Sequence, residues 1–400
     1  MKRSEKRQRK TLYFDHAATT PLTKAAFLAL EEAYDESFGN SGSIHLFGRK
    51  ALALLDESRE KIAGMLGGDF SGVVFTGSAT EANNLAVRGT AKRYIRRPGI
   101  SDGDFPARIV ISDAEHESVE KIAEKMSEEG CEVVRVRVKK DGCIDLKALE
   151  EAINGRTALV SLIFTNNETG AVNNIKRASS IISEIRKERD YPLFHIDASQ
   201  SFRYEDCSFL KTGADMITLS SHKVGGPKGV GVLCCRNKDI LKKIEPLILG
   251  GGQEFGYRSG TENIPAISGF TVALEEADRL RKKETERLRG IKKYLFEGIS
   301  EIFPKTRVNG PKIESSSPHI LNIWLPGKSA EEVVVFLDMA GIAVSYGSAC
   351  SARAFKSSRV LESMGYSEKR VLESIRISSG RETTMAEAKA FISIFRKLEI

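Results

Sequence analysis

At 400 residues the chain exceeds what one hydrophobic core usually supports, and 41% hydrophobic with 29% charged residues excludes a disordered or fibrous polypeptide. The formal charge of +7 is concentrated in Met1–Lys10, where six Lys/Arg face one Glu; the other 55 basic and 53 acidic residues nearly cancel, which argues against a nucleic-acid or anionic-lipid binder. No apolar run reaches the ~18 residues of a membrane span, and no apolar segment follows the basic tail as a secretory signal requires. The expectation is a cytoplasmic protein.

Six cysteines, at 131, 143, 207, 234, 235 and 350, form no CxxC pair, so they read as reduced thiols rather than a disulfide framework or zinc site. From residue 72 to 235 short β-branched runs ("GVVFT", "RIVIS", "EVVRVRV", "TALVSLIF", "PLFHID", "DMITLS", "VGVLCC") alternate with helix candidates at Thr80–Arg93, Glu117–Glu129, Leu146–Ile153 and Ile175–Glu188. Buried strands separated by helices predict an α/β fold with a seven-stranded, mostly parallel sheet. A long helix is predicted over 271–302, followed by "HILNIWLP", a helix at Ala330–Ala340, "IAVS", "SIRIS" and a last helix at Met385–Leu398. The expected organisation is a basic tail (1–11), a large unit (12–270) whose residues 12–35 pack on the smaller one, and a smaller α+β unit (271–400) carrying the cysteine segment.

Ligands of such sheets bind beyond the carboxyl ends of the strands. There, "FTGSATEANN" runs from strand into helix, with Ser78 and Glu81 at capping-box spacing and the N–H groups of Ala79 and Thr80 free for an anion; alone it equally describes a plain capped helix. Asp197 ends the apolar run of "FHIDASQ", where a carboxylate needs a cationic partner or a cap. Lys223, in "SSHKVGGPKG", sits where desolvation and neighbouring positive groups would favour the free amine, which condenses with aldehydes. Helix N-terminus, aspartate and lysine together describe a seat for the phosphate, pyridine nitrogen and aldehyde of pyridoxal 5'-phosphate. No P-loop or GxGxxG competes for the phosphate.

With "YFDHAATTP", "GNSGSIHLFGR", "EHESV", "NNETG", "HIDASQ", "GGGQEFGYRSGTEN", "GSACS" and "IRISSGR" added, the chain resembles the cysteine desulfurases over residues 12–383. These are class V, fold-type I pyridoxal phosphate enzymes, and the likeness is to their nitrogen-fixation and iron–sulfur group. The resemblance implies a large domain plus a smaller α+β domain, a homodimer, and sulfur removal from L-cysteine to give L-alanine and an enzyme persulfide, which a scaffold or sulfur-relay protein accepts. It implies that Ala79, Thr80, Ser220 and His222 cradle the phosphate, with Thr261 reaching the phosphate of the neighbouring subunit. His116 would stack on the ring and move protons, Asn167 and Gln200 would bind its phenolic oxygen, and Asp197 its nitrogen. Lys223 would hold the aldehyde and then shift the substrate Cα proton, while Arg376 and Asn40 would bind the substrate.

Cys350 lies in "VSYGSACSARAFKSS", a small and basic segment unlike the apolar run holding Cys234 and Cys235. Arg353 and Lys356 favour its thiolate, and the resemblance makes it the sulfur nucleophile. The sequence departs from the family pattern at the phosphate turn, Gly77-Ser78-Ala79-Thr80, at Ser41, and at Ser357-Ser358-Arg359 after the cysteine segment. Rival readings are a selenocysteine lyase or another class V aminotransferase, and outside the enzymes a sulfur-pathway scaffold or nucleic-acid binder using the basic tail.

Overall fold

The protein is described by a computed structural model covering residues 11–96, 106–347 and 357–399. Twelve strands occur among the described residues: β1 (Leu12–Tyr13), β2 (Val73–Thr76), β3 (Arg108–Ser112), β4 (Glu132–Val136), β5 (Thr157–Ile163), β6 (Leu193–Asp197), β7 (Met216–Ser220), β8 (Gly231–Cys235), β9 (Arg307–Val308), β10 (Ile320–Trp324), β11 (Ile342–Ala343) and β12 (Ser374–Ser378). Seven form one sheet in the order β2-β8-β7-β6-β5-β3-β4, in which β8 alone runs against the others.

The apolar runs of this sheet are continuous because both faces are covered. Alternation then sends neighbours into different cores: Ile109 and Ile111 pack with Leu85, Val119 and Met126, whereas Val110 joins the core holding Leu55, Ile175 and Phe270. Strands β2, β3, β5, β6 and β7 end at Thr76, Ser112, Ile163, Asp197 and Ser220, and the opposed β8 begins at Gly231 on the same edge. The sequence motifs therefore converge there.

A second, antiparallel sheet has the order β12-β10-β9. Its core gathers Leu321, Ile323, Ile375 and Ile377 with Phe391 and Phe395 of the helix Met385–Phe395. A helix spanning Ile264–Ile302 joins the two parts: Ile264 to Leu274 are buried with the large sheet, and Leu288 to Ile302 with the small one. It starts seven residues before the predicted 271 because Asn263 caps it, accepting from Ala266 N at 3.3 Å, and Pro265 fits its first turn.

Residues 12–17 belong to the small-sheet side. There β1 pairs with β11 in parallel, and Phe14 N donates to Ala343 O at 2.9 Å while Ser378 N donates to Phe14 O at 2.7 Å. The helix Lys24–Glu36 instead buries Ala26 in the large-sheet core.

Candidate active site

A cavity of about 210 Å3 opens at the carboxyl edge of the large sheet. Ala79, Thr80, His116, Asn167, Asp197, Gln200, Ser220, His222, Lys223 and Arg376 all line it, joined by Ala17 and Ala18. Thr261 lies in an adjoining cavity that shares Gly229 and Val230 with it. Asn40 is exposed, with its Oδ1 accepting from Gly42 N at 2.9 Å, and does not line the cavity. Cys350 lies outside the described residues.

One wall of the cavity is built by the start of the helix Ala79–Ile95. Ser78 caps it, accepting from Glu81 N at 3.2 Å, while the Glu81 carboxylate reaches back to Gly77 N at 2.8 Å and pairs with Arg258 Nε at 2.8 Å. This locks the turn one residue differently from a capping box, whose carboxylate would bond the cap residue itself. The amides of Ala79 and Thr80 have no carbonyl one turn back and remain for an anion. Gly231 packs directly under them: a Cβ there would lie 2.6 Å from Ala79 N and 2.5 Å from the Ser78 carbonyl carbon.

Asp197, also in the cavity wall, is 5% exposed and accepts from Asn83 Nδ2 at 2.8 Å and from Ser199 N at 2.9 Å. Asn83 Nδ2 also donates to Ser118 Oγ at 2.8 Å, and Ser118 Oγ lies 2.8 Å from His116 Nδ1. His116 Nδ1 further accepts from Ser118 N at 3.1 Å, so the ring carries its proton on Nε2. Burial lowers the His116 pKa; Asp197 opposes this and Lys223 adds to it. Behind Asp197, His195 is fixed by Ser161 at 2.8 Å and Thr218 at 2.9 Å, and burial holds its pKa down to about 4.

Lys223 closes the short turn Ser221–Lys223 after β7, and its Nζ donates to Ala17 O at 2.5 Å and Ala18 O at 2.7 Å. Gly225, at φ +91, and Gly226, where a Cβ would meet Ser221 Oγ at 2.3 Å, let the chain fold back beneath the lysine. His222 Nδ1 lies 3.1 Å from Thr19 Oγ1; burial first, then the charges of Lys223 and Lys228, hold its pKa at about 4.

Arg376 enters from β12, 1% exposed, donating to Asn167 O at 2.9 Å and pairing with Asp15 Oδ1 at 2.8 Å. Its Nε is buried without a hydrogen-bond partner among the described residues, which leaves one guanidinium donor unsatisfied there. Arg359 donates to Asp113 O at 2.9 Å and Glu115 O at 2.8 Å, tying the chain that follows the cysteine segment to the loop of His116.

Asp15, Asn83, Ser118 and the carbonyls of Ala17 and Ala18 were not singled out from sequence. Asn83 carried a readable signal, an amide among Ala82, Leu85 and Ala86 one turn into the helix, whereas the Asp15–Arg376 pair spans 361 residues and had none.

Residues 12–391 match the family model "Aminotransferase class-V". The chain is 36% identical over 379 residues to a putative cysteine desulfurase IscS 1 of Bacillus subtilis, covering 94% of this chain and 96% of that protein. It is likewise 36% identical over 382 residues to cysteine desulfurase IscS 1 of Archaeoglobus fulgidus, at 96% and 95% coverage. Among solved structures, a NifS-like protein superposes with a TM-score of 0.88 at 30% identity, covering 97% of this chain and 99% of that one. SspA in complex with cysteine gives 0.78 at 33% identity, covering 92% and 98%. The cavity suits the cofactor on which these enzymes depend: free helix amides with a glycine beneath them for a phosphate, a buried carboxylate for a ring nitrogen and a lysine amine for an aldehyde. The chain therefore belongs to the class-V aminotransferase family, among its pyridoxal phosphate-dependent cysteine desulfurases.

Proposed function

We propose that this chain takes sulfur from L-cysteine and holds it as a persulfide on Cys350 before passing it to an acceptor for iron–sulfur cluster or other thio-compound synthesis. The observation that carries the reading is the convergence of Ala79, Thr80, His116, Asp197, Lys223 and Arg376 on one cavity.

Pyridoxal phosphate bound there supplies an electron sink that acidifies the substrate Cα. Ala79, Thr80, Ser220 and His222 hold the phosphate, Asp197 the pyridine nitrogen, and Gln200 and Asn167 the phenolic oxygen. Arg376 orients the substrate carboxylate, whereas Asn40, exposed and outside the cavity, takes no part in this reading. The Lys223 amine, which the Ala17 and Ala18 carbonyls hold at the cavity wall, shifts the Cα proton, and His116 exchanges a proton through Nε2. The Cys350 thiolate attacks the substrate sulfur: an S–S bond forms, the Cβ–S bond breaks with its electron pair left on carbon, and that carbon is protonated to yield L-alanine.

Ser357 and Ser358, a few residues beyond Cys350, line a neighbouring cavity of about 370 Å3 that shares His116 and Asn167 with the cofactor cavity, which supports this assignment. Thr261 and the exposed apolar side chains of Phe27, Phe38, Ile44 and Leu249 support a homodimer in which a second copy completes the phosphate site. No helix among the described residues is long and apolar enough to cross a membrane, and we place the chain in the cytoplasm. The division at 270/271, inside the joining helix, separates the cofactor-holding part from the part carrying the cysteine.

The test is mass analysis after incubation with L-cysteine. The expected result is one added sulfur on the Cys350 peptide with release of alanine. Alanine formed at an undiminished rate by Cys350→Ala would overturn the nucleophile assignment, and no alanine from the wild-type chain would overturn the activity.

A further inference from the structure

Gln200 lines the cavity, yet part of its amide is engaged behind it. Its Nε2 donates to Ala17 O at 2.8 Å. Because a backbone carbonyl only accepts, this contact fixes the nitrogen end of the amide and turns Oε1 to His319 Nε2, 3.1 Å away. Oε1 also only accepts, so His319 carries its proton on Nε2. Its bare Nδ1 then meets Ser317 Oγ at 2.7 Å, with the hydroxyl as donor.

The imidazole is 3% exposed and stacks on Tyr204, ring centroids 4.3 Å apart and planes 21° from parallel. Burial, reinforced by the charges of Arg203, Lys292, His16 and Arg376, keeps its pKa well below the ordinary histidine value. Lys292 holds the Ser317 end, its Nζ donating to Ser317 O at 2.9 Å. Donation thus runs one way, from Ser317 through His319 to Gln200. His319 itself does not line the cavity.

We infer that His319 is a positioning residue: it holds the Gln200 amide in one orientation so that the second Nε2 hydrogen is kept for an acceptor in the cavity. The inference rests on the reading of the site given above, in which that acceptor is the phenolic oxygen of pyridoxal phosphate. A neutral ring with a fixed tautomer suits this task, since a flipped amide would present oxygen to oxygen. Gln200 could not hold this orientation as firmly by the Ala17 bond alone, because its own Oε1 would then be buried without a donor.

The experiment compares the wild-type holoenzyme with His319→Phe, which keeps a ring against Tyr204 but has no donor, and His319→Gln, whose amide can donate to Oε1. Three quantities are read: the dissociation constant for pyridoxal phosphate, the pH midpoint of the bound cofactor's visible absorbance, and the melting temperature of the cofactor-free chain. For His319→Phe we expect affinity to fall about tenfold. The midpoint should rise by about half a unit or more, because a donor to the phenolic oxygen favours its ionised form. His319→Gln should restore both toward wild type. If His319→Phe lowers only the melting temperature, or if both variants shift alike, the ring is packing alone and the inference fails. Should His319→Phe not fold, Ser317→Ala replaces it: freeing Nδ1 should move affinity and midpoint the same way by a smaller amount, and no movement overturns the inference. A wild-type chain that binds no pyridoxal phosphate overturns the site reading and the inference with it, an outcome distinct from a wild type that binds and variants that do not differ.

Discussion

Replacing Gly231 with alanine tests the phosphate seat by adding one carbon atom. The new Cβ would lie 2.6 Å from Ala79 N and 2.5 Å from the Ser78 carbonyl carbon, where ordinary contact begins at 3.4 Å, so backbone must yield by roughly 0.9 Å. Neither side is free to do so. Gly231 is paired with Ser220 on one flank and Thr76 on the other, and the helix Ala79–Ile95 is anchored through buried Leu85, Ala86 and Val87. Overpacking of this kind costs about 1–3 kcal/mol. The amide that moves is the one assigned to the phosphate, so the cost should appear as weaker cofactor binding, by a factor of about 5 to 150. The assay is titration of the cofactor-free chain with pyridoxal phosphate, followed by visible absorbance, with thermal unfolding measured alongside. Gly290→Ala is the control: that helix position is exposed with nothing within 4 Å, so alanine should stabilise by about 0.5–1 kcal/mol and leave binding unchanged. Wild-type affinity in Gly231→Ala would refute the assignment of the Ala79 amide.

Arg376→Lys keeps the charge but loses the planar fork, and should raise the KM for L-cysteine by about tenfold or more with a smaller effect on kcat; equal loss in both would point to the Asp15 pairing instead. Asp197→Asn removes the carboxylate but can keep hydrogen bonds to Asn83 and Ser199, and should lower kcat by about a hundredfold while the chain still folds; unchanged turnover would remove Asp197 from the chemistry. Lys292 is 3% exposed and burial lowers its pKa to about 7, below the unfolded value of 10.5. Between those values the unfolded chain binds more protons, so this residue's contribution to stability rises with pH, by at most about 1.4 kcal/mol per unit. Lys292→Met should flatten that rise in urea unfolding at pH 7 to 9, and an unchanged difference between the two pH values would refute it. Cys207, Cys234 and Cys235 are buried and desolvation raises their thiol pKa values, so alkylation should spare them in the native chain and reach them only in denaturant; labelling in the native state would contradict their burial.

The strands were legible because a sheet covered on both faces leaves uninterrupted apolar runs such as "TALVSLI", and the turn chemistry around Ser78 and Lys223 marks where those runs stop. Ala79, Thr80, Asp197 and Lys223 were readable for the same reason: each stands at or within a few residues of the end of a strand visible in the sequence. What stayed hidden is what comes from far along the chain. Asp15 meets Arg376, His319 meets Gln200 and Arg359 meets Glu115 across separations of 361, 119 and 244 residues, and no local pattern encodes such pairings. The early start of the joining helix was local, since its cap Asn263 and Pro265 stand in the sequence. There the charged periodicity of the exposed middle of the helix masks the apolar, buried first turns.

The stretch 12–20 is stitched to both parts of the molecule. It is paired to β11 and Ser378 on one side, and its Ala17 carbonyl accepts from Lys223 and Gln200 while Thr20 N donates to His222 O on the other. What looks like a leading end is therefore a load-sharing seam. Trimming the chain back to residue 20 should act as a lesion of the reaction centre, releasing the lysine amine, the Gln200 amide and the arginine's carboxylate partner at one stroke.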